Sequence, residues 1–150
     1  MHIKRIKPIF ILLLSALACG SPSERKEGMD RETKIKYDKY LIQGKELYAT
    51  YCTNCHQDDG KGLAQLYPPL AASDYLMADI SRAACIIKNG QFKEIQVNGV
   101  TYSQMMPGLQ HLTNLEIAQI LTYVTNSWGN DGGIQEVKAV ENWLTTCETD

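Results

Sequence analysis

Cys52-Thr53-Asn54-Cys55-His56 sets two thiols three positions apart, with an imidazole directly after the second. That spacing is the attachment signature of c-type haem. Two thiols so separated can add to the two vinyl groups on one edge of a porphyrin. The next residue can then swing its imidazole beneath the ring to bind the iron. Cys52 and Cys55 are therefore the expected anchors of one covalent haem c, and His56 the fifth iron ligand. A thioredoxin-like pair would want a βαβ context, and no strand of that kind precedes Cys52. A zinc site would want further ligands at short spacing, whereas Cys19, Cys85 and Cys147 are scattered singly.

A second run with possible iron chemistry is Ser103-Gln104-Met105-Met106-Pro107-Gly108. Thioether sulfur is a soft ligand that suits haem iron and raises its potential. A Met before Pro has its backbone pushed to extended geometry, which can aim its side chain across a ring. Core packing is the commoner fate of Met. Beside a haem motif, however, the iron needs a sixth ligand or an open site. The three histidines are His2, His56 and His111, and no acid–base constellation is evident.

The elements that must position these groups are mostly helical. Asp38 to about Cys52 carries Leu41, Leu47, Tyr48 and Tyr51 roughly on one face. Gly44 sits within it at a cost of about 1 kcal/mol, which suggests a tight helix crossing. After His56 the periodicity is lost through Gln57–Gly62 and Tyr67-Pro68-Pro69-Leu70. A metal-bound imidazole normally donates its other N–H, and a proline carbonyl in this loop is one candidate acceptor. Ser73–Ala78 and Ile80–Asn89 are expected helices, the second capped by Gly90, with Ile86 and Ile87 in the core. Ile95–Tyr102 reads as a hairpin about Asn98-Gly99. Thr113 and Glu116 form a capping box opening a helix to about Asn126, and Ile134, Val137, Val140 and Leu144 suggest a last short helix.

The chain has 150 residues, enough for one domain and little more. Lys4, Arg5 and Lys7 precede an apolar run ending near Leu17, a pattern of export that is too short to span a bilayer. Ala16-Leu17-Ala18-Cys19 resembles the lipobox of bacterial lipoproteins, with Leu two residues before the Cys rather than the usual three. Residues 1–18 are thus the expected signal peptide and Cys19 the expected lipid attachment site. Residues 19–36 form a charged, flexible tether. Three of the 15 Lys+Arg but none of the 17 Asp+Glu precede Cys19, so the mature chain carries 12 against 17, a net charge of −5. That balance disfavours nucleic-acid binding and favours protein partners with a basic docking face.

Taken together, roughly residues 40 to 130 resemble a monohaem class I cytochrome c. The haem motif matches fully. Gly44 and Tyr48 fall at the small and aromatic positions of the family's first helix, and Ile120 and Tyr123 at the positions they meet on its last. Pro68 and Leu70 resemble the family's Pro-x-Leu, in which the proline carbonyl holds the proximal His. Met106-Pro107 matches the sixth-ligand motif and favours Met106 over Met105. The resemblance implies an all-α fold of three to five helices around one covalent haem, with the first and last helices crossing. Residues 37–130 would be this domain and 131–150 a C-terminal extension. It also implies that haem-free protein is largely unfolded. Cys85 is either a buried thiol or, in an oxidising compartment, a disulfide partner of Cys147.

The function so implied is electron transfer, without substrate turnover, by a membrane-tethered protein of the periplasm or cell surface. Its partners would be a dehydrogenase or respiratory complex on one side and a terminal oxidase or reductase on the other. The alternatives are a peroxidase-like enzyme with His111 as acid–base group, or a gas-binding sensor with an open iron position.

Overall fold

The computed structural model describes residues 28–147. The signal peptide, Cys19 and the first part of the tether lie outside the described residues. Among the described residues there are six helical segments: α1 (Arg31–Tyr51), α2 (Thr53–His56), α3 (Asp74–Ala78), α4 (Ile80–Asn89), α5 (Asn114–Val124) and α6 (Val137–Thr145). Two small antiparallel pairs accompany them. β1 (Gly90–Gln91) pairs with β4 (Met106–Pro107), and β2 (Ile95–Val97) with β3 (Val100–Tyr102). Among the described residues, no helix is long and apolar enough to cross a membrane.

Helix α1 begins at Arg31, seven residues before the expected start at Asp38, so Arg31–Lys36 are helical and not tether. The reason is local. Asp30 caps the helix by accepting from the Glu32 and Thr33 amides at 2.9 and 3.0 Å. Lys34 and Asp38 pair one turn apart at 2.8 Å, and Lys36 pairs with Glu136 just ahead of α6. Charge that read as solvation is here a capped and cross-linked first turn. The buried face also differs from the expected one. It runs through Tyr37, Tyr40, Gly44 and Tyr48, while Leu41 and Leu47 are half-buried and Tyr51 is exposed.

The crossing of α1 with α5 organises the core. A Cβ at Gly44 would lie 2.0 Å from the Gln119 carbonyl oxygen and 2.8 Å from the Tyr123 Cβ. The glycine therefore lets two helix backbones touch, as the sequence led us to expect. One turn on, the Tyr48 ring sits 5.4 Å from that of Tyr123 and 5.1 Å from that of Trp128. From α5, Ile117, Ala118, Ile120 and Leu121 are essentially solvent-free. The capping box is complete, with Glu116 accepting from the Thr113 amide at 2.7 Å and Thr113 Oγ1 from the Glu116 amide.

The remaining expected elements form close to where the sequence put them. Ser73 caps α3, Asp79 caps α4, and Gly90 ends α4 at φ 97°. Asn98 and Gly99 take φ of 51° and 77°, the double positive φ that a two-residue hairpin turn favours. Asn98 and Asp74 also exchange hydrogen bonds of 2.7 and 3.0 Å, which pin the hairpin to α3. Helix α6 packs through the fully buried Val140, and Cys147 is joined to Cys85 of α4 by a disulfide with a Cα–Cα distance of 5.6 Å. That bond ties the C-terminal extension to the domain across 62 residues.

Candidate functional site

Between α2, the loop after it, α4 and α5 lies a cleft whose empty volume, mouth included, is about 1030 Å³. Its lining is overwhelmingly apolar, with Leu70, Ile86, Ile87, Leu121 and Val124 among the contributors. Cys52, Cys55, His56, Met105 and Met106 all line it. The five side chains singled out for haem chemistry thus meet in one place. Cys19 lies outside the described residues.

The His56 segment is held by short-range bonds. Cys52 ends α1 with its amide on the Tyr48 carbonyl at 2.9 Å, and the single turn α2 carries Cys55 and His56. The Tyr48 hydroxyl donates to the Gln57 carbonyl at 2.6 Å, which fixes the chain where Gln57 turns away at φ 62°. His56 is 8% exposed, and its Nδ1 lies 3.0 Å from the Pro68 carbonyl oxygen. A carbonyl can only accept, so Nδ1 carries the hydrogen and Nε2 keeps its lone pair. Burial lowers the His56 pKa, against a smaller opposing effect of the Pro68 hydrogen bond, which further favours the neutral imidazole. The proline carbonyl considered from sequence is therefore the acceptor.

Two residues whose individual roles could not be read from sequence support this loop. Asn130, buried, donates from Nδ2 to the Leu70 and Val124 carbonyls at 2.8 Å each, joining the loop to the end of α5. Trp128 lies against Gly60, where a Cβ would come within 2.5 Å of its ring. The Gly60 carbonyl accepts from the Leu70 and Ala71 amides at 2.7 and 2.9 Å. An Asn and a Trp in a Gly-rich stretch carry no periodic signal, so nothing in the pattern marked them.

The Met106 segment is held from further away. Gln91 faces Met106 and Gly90 faces Pro107 in the β1–β4 pair. The Leu109 amide donates to the Ile87 carbonyl at 2.8 Å. Lys88 donates from Nζ to the Gln110 and Leu112 carbonyls at 2.8 and 2.7 Å, closing the loop onto α4. Met105 is 58% exposed and Met106 only half-exposed. His111 is exposed, rests 5.2 Å from the Tyr51 ring and is absent from the cleft lining. It supplies no acid–base group there.

These residues fit a covalent porphyrin. The cleft is large and apolar, both thiols are unpaired, and an oriented imidazole lone pair is present. Burial, with Cys55 adding, pushes the Cys52 thiol up to about 12, so it rests as a neutral thiol at physiological pH. Among the described residues, no group of three His, Cys, Asp or Glu side chains is arranged to hold a metal ion.

Comparison with known proteins agrees with this geometry. Residues 41–128 match the family Cytochrome c. The chain belongs to the cytochrome c family and carries one covalent haem c. Among individual relatives it is 32% identical to Cytochrome c-552 of Thermus thermophilus over 91 residues, 58% of this chain and 69% of that protein. It is 31% identical over 107 residues to the cytochrome c subunit of the quinone alcohol dehydrogenase of Gluconobacter oxydans, 69% of this chain. The corresponding subunit of Gluconacetobacter polyoxogenes is 29% identical over 91 residues, 59% of this chain. The matches span 22% and 19% of those two subunits, so this chain corresponds to about a fifth of their length.

Proposed function

We propose that this chain is an exported, lipid-anchored electron carrier and not an enzyme. Cys52 and Cys55 would hold the haem through their sulfurs, and His56 and Met106 would bind its iron. When bound, the haem supplies a reversible one-electron iron couple. The chain's own residues do the rest. Pro68 orients the His56 ring through Nδ1, which leaves Nε2 for the iron. The apolar walls exclude water, so little has to reorganise when the charge changes. The Met106 segment, clamped on α4, would keep peroxide and gases from the iron. The observation that carries this reading is the convergence of Cys52, Cys55, His56 and Met106 on one apolar cleft.

The partners are redox proteins: a dehydrogenase or respiratory complex as donor and a terminal oxidase or reductase as acceptor. The cytochrome c subunits of quinone alcohol dehydrogenases among the relatives support a dehydrogenase partner. The mature net charge of −5 favours a basic docking face on it. Cys19 is the lipid attachment site that places the carrier at a bacterial membrane facing the periplasm or cell surface. Labelled acyl chains should enter the wild type and not Cys19→Ser.

The ligation is tested spectroscopically. Wild-type protein should show six-coordinate low-spin iron with the red sulfur-to-ferric charge-transfer band. Met106→Ala should lose the band and Met105→Ala should keep it. High-spin resting iron that binds carbon monoxide readily in the wild type would overturn the closed-site reading.

A further inference from the structure

Helix α1 has an outward face as well as the one that meets α5, and it carries apolar side chains. Ile35 and Ile42 are 46% and 59% exposed, and Ala49, also exposed, continues the same seven-residue step. At 3.6 residues per turn the three form one stripe, roughly opposite the Gly44 that touches α5. Exposed cations flank it: Arg31, Lys34, Lys39 and Lys45. As a whole α1 carries five Lys or Arg against three Asp or Glu, whereas residues 52–147 carry five against nine. The two cations of α4, Arg82 and Lys88, are spent on backbone carbonyls. Helix α1 thus turns positive charge and isoleucine outward from an otherwise acidic domain.

The length of chain ahead of α1 says what this face can meet. Cys19 as the lipid attachment site, the reading on which this inference rests, leaves eleven residues, 20–30, between the acyl chains and the start of α1. Fully extended, that stretch reaches at most about 40 Å. A linker so short holds the helix at the bilayer surface at an effective concentration on the order of millimolar. A surface affinity too weak to recruit a free protein is then enough to orient a tethered one. Anionic leaflets attract Lys and Arg within a Debye length, and apolar side chains beside them enter the headgroup boundary. We infer that the Ile35–Ile42 stripe of α1, with its flanking cations, is a docking surface for anionic phospholipid headgroups, on which the domain lies instead of hanging free. None of residues 31–51 lines the haem cleft, so docking through α1 leaves that lining untouched.

Lipidated full-length holoprotein gives the test. Its intact mass reads the premise separately: a holoprotein without acyl chains on Cys19 overturns the anchor reading and the docking with it. Ferrous, ¹⁵N-labelled protein is placed, one chain per disc, in nanodiscs of phosphatidylglycerol and phosphatidylcholine with a trace of gadolinium-chelated headgroup. The amide signals of Ile35, Ile42 and Ala49 should all be lost, while those of α4, which packs on α5, persist. Discs of phosphatidylcholine alone, or about 1 M salt with its Debye length of about 3 Å, should restore part of the lost signal. Ile35→Glu with Ile42→Glu alters exposed positions only. It should abolish the selective loss and leave acylation and the haem spectrum unchanged. Loss that fades from Arg31 toward Ala49 would mean that the linker alone brings the helix near, and would overturn the inference. So would loss spread evenly over the surface, or a double variant whose pattern matches wild type. A holoprotein that sediments as a dimer in detergent, and as a monomer in the double variant, would give the stripe to a second copy and overturn it too. The wild-type pattern decides even where the variant fails to mature.

Discussion

His56 and Met106 reach the same cleft with different kinds of support. His56 is positioned by Tyr48, Gln57 and Pro68, all within twelve residues of it. Met106 depends on Ile87, Lys88 and Gln91, and α4 itself is fastened to Cys147. Closing long loops costs chain entropy before any contact repays it. The His56 side is therefore the part that local sequence can specify alone. The Met106 side is the part most exposed to loosening elsewhere in the fold. Rigid presentation suits thiols and an imidazole that must meet the haem in one geometry, whereas a thioether held from a distance can shift with the elements that hold it.

The largest expected effect breaks both sides. Cys52→Ser with Cys55→Ser should abolish covalent haem and leave the cleft without its centre. The cooperative thermal transition should vanish, a loss of about 5 kcal/mol or more, as read by circular dichroism. A sharp transition in that haem-free protein would refute it. Next, Cys85→Ser with Cys147→Ser should cost about 2–4 kcal/mol in guanidinium unfolding. It should weaken the sulfur charge-transfer band while leaving haem attachment intact; equal damage to both would mean that the two sides share one support.

Gly44→Val addresses the α1–α5 crossing behind the His56 side. Its new Cβ would meet the Gln119 carbonyl at 2.0 Å, so a loss of about 1–3 kcal/mol is expected from overpacking. Unchanged unfolding midpoints would mean that the helices part freely. The smallest effect concerns the start of α4. Hydrogen bonds from the Ser81 hydroxyl and then the Arg82 amide hold the Asp79 carboxyl below its usual 3.8. A folded-state pKa that is depressed contributes stability above the unfolded value, and that contribution is lost as pH falls from 3.8 through the lower folded value. Asp79→Asn should accordingly flatten the decline in melting temperature between pH 5 and 3, by less than about 1 kcal/mol. An identical slope in wild type and variant would contradict this.

This division also explains what could be read in advance. The thiols, His56, Gly44, the hairpin at Asn98-Gly99 and the Thr113–Glu116 box each announce themselves within a few residues. Their constraints are of spacing, sterics or capping; the crossing, the hairpin and the box form where expected, and the thiols and His56 line one cleft. Arg31–Lys36 misled because a run of charges looks alike in a solvated tether and in a capped helix. What separates the two is the Asp30 cap and the Lys36–Glu136 pair, the latter linking residues 100 apart. Periodicity puts Tyr51 on one face with Leu41, Leu47 and Tyr48, yet the face that meets α5 is set by Gly44. The structural roles of Asn130 and Trp128 were illegible because their partners lie in a loop about 60 residues earlier.

The Cys85–Cys147 bond sets a problem of manufacture. Cys52 and Cys55 must stay reduced until they bond to the haem, while Cys85 and Cys147 must be oxidised. Four such cysteines can pair in three ways. Two of these capture a haem thiol with a structural one, and the third, which correctly joins Cys85 to Cys147, also closes Cys52 onto Cys55. No fully oxidised form of these four is thus a productive precursor. Maturation has to be a sequence of reactions in which reductant reaches one pair and oxidant the other, and the order is written into which thiols the fold brings together.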